Sequence, residues 1–191
     1  MFNALLFLAP IVLAAYAGAS AIPASVVGKM TNDLSVLTSL GNIVRIHDNS
    51  GLGWGVDPGY PEAPDFTPVN GLLALPTTTP TNQDWVLVPV DTGTFNIESA
   101  MFPGMFISYA SFGIDSTEPI HSQLVLRGSS NAAIFSLETI SGGQTVNIAI
   151  PAINKVISSW TTTLTDTTTP ITVTNVQAAS IRQIFQFVVI A

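Results

Sequence analysis

The 191-residue sequence contains no cysteine, and only 9% of its residues are charged, against roughly 25% in an average globular domain. Without cysteine no disulfide can stabilise the chain, so a folded domain has to depend on a large, closed hydrophobic core. The length is sufficient for one such domain and short for two. N-x-[ST] sequons are absent as well, so we expect no N-glycosylation.

Basic residues are scarce: 5 lysines and arginines stand against 12 acidic residues, which gives a net charge of −7. The basic residues form no cluster along the chain. A protein that binds a phosphate backbone needs a concentration of positive charge to displace the counterions. The composition therefore argues against a nucleic-acid partner.

The residues that catalysis and metal binding require are also few. The only histidines are His47 and His121, and His47 does not form a dyad with Asp48, because strand neighbours point to opposite faces. No P-loop, dinucleotide fingerprint, EF-hand or zinc-ligand spacing is present. We therefore expect no enzyme activity, no metal and no cofactor.

The N-terminal stretch is apolar from Ala4 to Ala15 and then continues with small residues. Ala17-Gly18-Ala19 is a cleavage site of the A-x-A type, so the pattern predicts a signal peptide over residues 1–19 and an extracellular protein. The apolar run is shorter than the ~20 residues that a membrane-spanning helix needs, so we expect no stable membrane anchor. A lead-in segment over 20–40 should contain at most a short helical turn within Val26–Leu37.

Apolar residues recur along the remaining chain at a spacing of 50 or 51 residues. Within each recurrence they alternate with polar residues, and such period-two alternation is typical of a strand with one buried face. The three series are Trp85, Phe135 and Phe185; Val44, Phe95 and Val146; and Ile46, Ile97 and Ile148. The chain therefore contains an internal repeat, which predicts a repeated unit of about 50 residues.

Each unit has room for two further strands. The predicted second strands are Leu52–Val56, Met105–Tyr109 and Val156–Trp160, and the third strands are Leu72–Leu75, Leu124–Leu126 and Ile171–Val173. One unit cannot bury its apolar face alone, whereas three units around a pseudo-threefold axis close a barrel. We therefore predict an all-β fold, a β-trefoil with twelve strands, over residues 41–191 (units 41–91, 92–142 and 143–191); a propeller would need about four to eight units.

Asn82-Gln83-Asp84-Trp85 resembles the N-Q-x-W ending of a ricin-type B-chain lectin repeat, and Ser50–Asp57 resembles the start of one. Gln183-Ile184-Phe185 is a weakened Q-x-W. The resemblance implies a carbohydrate site made of an Asp from the second strand, an aromatic platform near the third strand, and the Asn and Gln of the motif. Asn82 and Gln83 match, whereas the Asp position falls on Gly55, two residues before Asp57, and the platform position falls near Leu75.

Three aromatic residues near the ends of the second strands, Trp54, Tyr109 and Trp160, are further candidates, either as sugar platforms or as core residues. Together with the resemblance, these residues imply a secreted, lectin-like protein whose partner is a glycan or glycoconjugate. Its candidate carbohydrate-binding residues are Asn82, Gln83, Asp57, Trp54, Tyr109 and Trp160.

The segment from Asp57 to Gly71 contains four prolines, which stiffen it and could preorganise it for contact. The architecture is also similar to that of Kunitz-type and mycocypin-like trefoil inhibitors, which implies a protease as the alternative partner of this loop. A rigid surface connection is the simpler interpretation. The low charge content leaves a secreted structural or surface protein as a third possibility, because fold alone does not determine function.

Overall fold

In the computed structural model the chain is described over residues 29–31, 33–39, 42–56, 65–74, 81–110, 122–140, 145–160 and 167–190. The predicted signal peptide, Asp57, Leu75 and His121 lie outside the described residues. None of the described helices is long and apolar enough to cross a membrane.

The elements follow one another along the chain as β1 (Lys29–Met30), α1 (Leu34–Leu37), β2 (Val44–Asp48), β3 (Gly53–Val56), β4 (Val69–Leu72), β5 (Trp85–Asp91), β6 (Thr94–Ser99), β7 (Met105–Tyr109), β8 (Leu124–Gly128), β9 (Phe135–Thr139), β10 (Val146–Ile150), β11 (Lys155–Ser159), β12 (Thr168–Thr174) and β13 (Phe185–Val189). Three 3₁₀ turns lie at Ser129–Asn131, Pro151–Ile153 and Ile181–Gln183.

The strands confirm the predicted all-β fold with three four-stranded units. Strands β2 to β13 divide into four strands within each of the predicted units, and β1 precedes them. The helical turn expected before the first unit is α1, whose first turn is capped by Asp33 accepting from Ser35 N at 3.0 Å. The third strand of the first unit begins earlier than predicted, at Val69 rather than Leu72, because its register is fixed by pairing with Gly53–Val56.

Six strands form a closed barrel, the first and fourth of each unit. They pair in the antiparallel order β2, β5, β6, β9, β10 and β13, and β13 returns to pair with β2. The first and fourth strands meet at equivalent residues in all three units: Val44 opposite Trp85, Phe95 opposite Phe135, and Val146 opposite Phe185. Closure removes free sheet edges, which is why three units are needed to complete the fold.

The second and third strands of each unit form hairpins, β3–β4, β7–β8 and β11–β12. The hairpins also connect to one another: β12 pairs with β4, and the bridges Pro68–Val125 and Gln123–Thr172 join the other two boundaries. The hairpin layer therefore repeats the threefold arrangement of the barrel.

The repeated apolar residues make up the barrel core. Trp85, Phe135 and Phe185 are completely buried, which confirms the structural interpretation of their spacing. The indole Nε1 of Trp85 donates to the carbonyl of Trp54 at 3.0 Å, and the Trp54 ring meets Phe185 edge-on with centroids 5.1 Å apart. The barrel core and the hairpin of the first unit are thus packed together through aromatic side chains.

Candidate functional site

Asn82 connects the segment before β5 to the end of β3. Its main-chain carbonyl accepts from Val56 N at 2.9 Å, and its side-chain Nδ2 donates to the Val56 carbonyl. The residue is half-buried. Asn82, predicted as a sugar ligand, therefore has its amide nitrogen committed to the backbone of the hairpin.

Gln83 is buried between this segment and the same hairpin, with 1% of its surface exposed. Its Nε2 donates to the Leu73 carbonyl at 2.7 Å. Two glycines leave room for the Gln83 side chain. A Cβ on Gly53 would lie 2.7 Å from Gln83 Oε1, and a Cβ on Gly55 would lie 2.8 Å from Gln83 Cγ. An Asp at position 55, which the lectin resemblance would require, does not fit beside Gln83 in this arrangement.

The third motif residue, Asp84, belongs to a buried ion pair that the sequence does not indicate. Its Oδ1 lies 2.8 Å from Arg45 Nε, and neither side chain is exposed. Its Oδ2 accepts from Thr81 N at 2.6 Å, while an Arg45 terminal nitrogen donates to Thr81 Oγ1 at 3.3 Å. Arg45 lies between the core residues Val44 and Ile46 on β2. The sequence pattern did not indicate that Arg45 is buried, because outward-facing strand positions are usually solvated.

The third unit uses its glutamine in the same way as the first. Gln183 Nε2 donates to the Asn175 carbonyl at 2.7 Å, and Asn175 follows β12 as Leu73 follows β4. Gln183 Oε1 also accepts from Gln177 N at 2.9 Å. Since both glutamines are buried and bind a main-chain carbonyl beside a hairpin, the glutamine of the motif has a structural role in two of the three units.

The three candidate aromatics are not equivalent in the structure. The hairpins end with the pairs Val56–Val69, Tyr109–Leu124 and Ser159–Ile171. Tyr109 therefore corresponds to Val56 and Ser159, whereas Trp54 lies two residues before this position and Trp160 one residue after it.

Burial separates them further. Trp54 has no exposed surface, so its ring cannot stack on a sugar, and the core alternative is the one the structure supports. Tyr109 is half-buried against the core. Trp160 is half-buried but lies at the hairpin end, where its Nε1 donates to Thr172 Oγ1 at 2.6 Å.

Trp160 lies beside a small cleft at the boundary between the third and first units, which we call the Arg182 cleft. It is lined by Asp48, Asn49, Ser50, Ser159, Ile181 and Arg182. The Arg182 guanidinium lies over the Trp160 ring, 4.7 Å from its centroid. The cleft volume is about 20 Å³, which is about enough for one hydroxyl group or one water.

Asp48 holds the wall of the Arg182 cleft in place. Its Oδ1 accepts from Ser50 N at 2.8 Å and Leu52 N at 3.0 Å, and its Oδ2 accepts from Ser159 Oγ at 2.5 Å. These bonds connect the first unit to the third. The cleft thus combines a rigid wall of carboxylate, amide and hydroxyl groups with an exposed guanidinium stacked on an indole, chemistry that suits a polyhydroxylated ligand.

His47 is completely buried next to this region. Burial lowers its pKa below the ordinary value of 6.5, and Arg45 acts in the same direction, whereas a Gly51 backbone contact and Asp48 oppose the shift. The Asp48 carboxylate accepts hydrogen bonds from Ser50 N, Leu52 N and Ser159 Oγ. Within the described ranges, no three His, Cys, Asp or Glu side chains are grouped to hold a metal ion.

No protein-family model and no curated protein matches the sequence. Solved structures with the same fold include the agglutinin of Rhizoctonia solani (19% identity, TM-score 0.59, covering 79% of this chain and 97% of that one). The ricin B-like lectin of Macrolepiota procera, solved in complex with lactose, is similar at 14% identity and a TM-score of 0.58 over 78% of this chain and 96% of that one. The designed threefold-symmetric protein ThreeFoil matches at 13% identity and a TM-score of 0.59 over 76% and 97%. The chain thus has a β-trefoil fold, which resembles that of the ricin B-like lectin.

Proposed function

We propose that this protein is a secreted, non-catalytic carbohydrate-binding protein. Its fold is that of the Rhizoctonia solani agglutinin and of the lectin solved with lactose. Secretion is proposed from the signal-peptide pattern of residues 1–19. The absence of catalytic activity is proposed because His47 is buried and has no hydrogen bond to the Asp48 carboxylate, which accepts from Ser159 Oγ instead.

The observation that carries the proposal is the pairing of Trp160 with Arg182 at the rim of the Arg182 cleft. An indole offers its face or edge to sugar C–H groups, and a guanidinium donates several hydrogen bonds in a fixed fork. The cation–π contact at 4.7 Å orients the guanidinium before a ligand arrives. Such preorganisation lowers the entropic cost of binding.

The proposal is tested with the secreted protein on a glycan array, followed by calorimetric titration of the best oligosaccharide. Replacing Arg182 with Ala should weaken binding by about 10- to 100-fold, because it removes hydrogen bonds from a charged donor. Trp160→Leu should weaken it as well. Val176→Ala is the control, since this side chain is 57% exposed on the same connecting segment.

Two results would contradict the proposal. One is a wild-type protein that binds no glycan even at millimolar concentration. The other is binding that survives in both Arg182→Ala and Trp160→Leu, which would leave the Arg182 cleft without a role. Recovery of the mature protein from the medium, with N-terminal sequencing, tests secretion separately.

A further inference from the structure

Phe66 presents an aromatic ring to solvent at the boundary between the first and second units. Its side chain is 51% exposed, although the Arg127 guanidinium lies over the ring at 4.1 Å from the centroid. Since the cation lies over one face of the ring, a ligand can approach Phe66 from the opposite face or from the ring edge. Arg127 lies on β8, so the contact joins the two units.

The backbone of Phe66 is held in a strained conformation. Its φ of 69° lies in the left-handed region, where a bulky non-glycine residue is an outlier. Two main-chain hydrogen bonds to β8 hold this conformation. Phe66 N donates to the Leu126 carbonyl at 2.9 Å, and Leu126 N donates to the Thr67 carbonyl at 2.8 Å. Strain held in this way is concentrated at functional sites.

Asp65 places a carboxylate beside the same ring. Its Oδ1 accepts from Gly128 N at 3.0 Å. Its Oδ2 lies 3.8 Å from Arg127 Nε, beyond hydrogen-bond distance, and the side chain is 53% exposed. This oxygen can therefore accept a hydrogen bond from a ligand hydroxyl.

We propose that Asp65, Phe66 and Arg127 form a second carbohydrate subsite, separate from the Arg182 cleft; this proposal rests on the proposed function. The free face of Phe66 stacks on the C–H face of one pyranose ring, and Asp65 Oδ2 accepts from a hydroxyl at the edge of that ring. Arg127 acts as a positioning residue, because its guanidinium supports the covered face of Phe66.

The chemistry selects a neutral sugar. An acidic sugar would bring its carboxylate close to Asp65 and to a protein with a net charge of −7. The site is also small and mixed, one aromatic ring beside one charged pair. A stable protein–protein interface buries about 1,200–2,000 Å² and is depleted of Asp at its centre, so these residues favour a single sugar ring over a protein surface.

The test uses the full secreted chain and the neutral oligosaccharide that scores best on a glycan array, titrated with matched variants. Asp65→Asn retains the acceptor for Gly128 N and replaces Oδ2 with a donor, so the affinity should fall about tenfold. Phe66→Ala should weaken binding by about 5- to 10-fold, and Phe66→Trp should retain it. Val90→Ala, at a side chain 47% exposed elsewhere, should bind as the wild type does.

The outcomes separate the two proposals. If the wild type binds no glycan, the proposed function and this subsite both fail. If the wild type binds, Arg182→Ala weakens binding and Asp65→Asn does not, the second subsite alone is overturned. Unchanged glycan binding by Phe66→Ala, together with lost inhibition of a protease in a panel assay, would assign the residue to a protein partner and also overturn the proposal. Asp65→Asn keeps the test decisive if Phe66→Ala fails to fold.

Discussion

The buried pair of Arg45 and Asp84 provides the sharpest test of how the first unit is held together. Both side chains have no exposed surface, and Asp84 also accepts from Thr81 N at 2.6 Å. Asp84→Asn can keep the bond to Thr81, but it removes the negative charge that lies 2.8 Å from the buried Arg45 guanidinium. Removing one partner of a buried pair typically costs about 3–5 kcal/mol.

That cost is large relative to the stability of a domain, which is about 5–15 kcal/mol. For a protein of this size it corresponds to a decrease in Tm of about 6–20 °C. Urea denaturation followed by tryptophan fluorescence measures the free energy of unfolding directly. We expect Asp84→Asn to unfold at a clearly lower urea concentration with an unchanged m-value.

The double variant Arg45→Met/Asp84→Asn controls for other effects of the substitutions. It removes both charges while the Thr81 bond can remain, so it should be more stable than the sum of the single variants predicts, with a coupling of about 0.5–3 kcal/mol. A change below about 1 kcal/mol in Asp84→Asn would refute the reasoning. The pair would then behave as a solvated surface pair rather than a buried one.

Two further stability predictions follow from the same region. Gly55→Ala should destabilise the fold by about 1–3 kcal/mol, because the new Cβ would lie 2.8 Å from Gln83 Cγ and 2.9 Å from Leu72 Cδ1. The matched control in thermal unfolding is Gly128→Ala, whose Cβ would have no atom within 4 Å. Equal Tm values for the two variants would contradict the packing argument. His47 has a lowered pKa in the folded state, so the unfolded chain binds a proton more readily and the free energy of unfolding should decrease as the pH falls below 6.5. Urea titrations between pH 7.5 and 5 should show a flatter profile for His47→Gln, and an equal slope in both proteins would rule out His47 as the cause.

The barrel could be predicted from the sequence because the pattern of apolar residues that forms it occurs three times along the chain. Trp85, Phe135 and Phe185 are equivalent positions in three copies of one unit, so each supports the assignment of the others. The hairpin positions were harder to predict because side chains at a strand end can face the core or the solvent. Trp54 and Trp160 look alike in sequence, yet the register places one in the core and the other beside a cleft.

The buried polar network could not be predicted for a related reason. Arg45 and Asp84 are 39 residues apart, and nothing local to either residue indicates that the other lies against it. The protease-inhibitor alternative concerned the loop from Asp57 to Gly71, most of which lies outside the described residues. That alternative and the structural-protein alternative stay predictions of the sequence.

Symmetry offers a physical criterion for separating structural from functional residues in this chain. Gln83 and Gln183 are equivalent, buried and bonded to equivalent carbonyls, so the fold alone is sufficient reason for both. The stacked pairs Arg182–Trp160 and Arg127–Phe66 lie at non-equivalent positions of the trefoil and leave polar or aromatic surface exposed. Closure of a threefold fold depends on what the units share, so it does not require such asymmetric, solvent-facing pairs. The fold therefore accounts for the glutamines of the lectin-like motif, and we propose that ligand recognition lies where the three units differ.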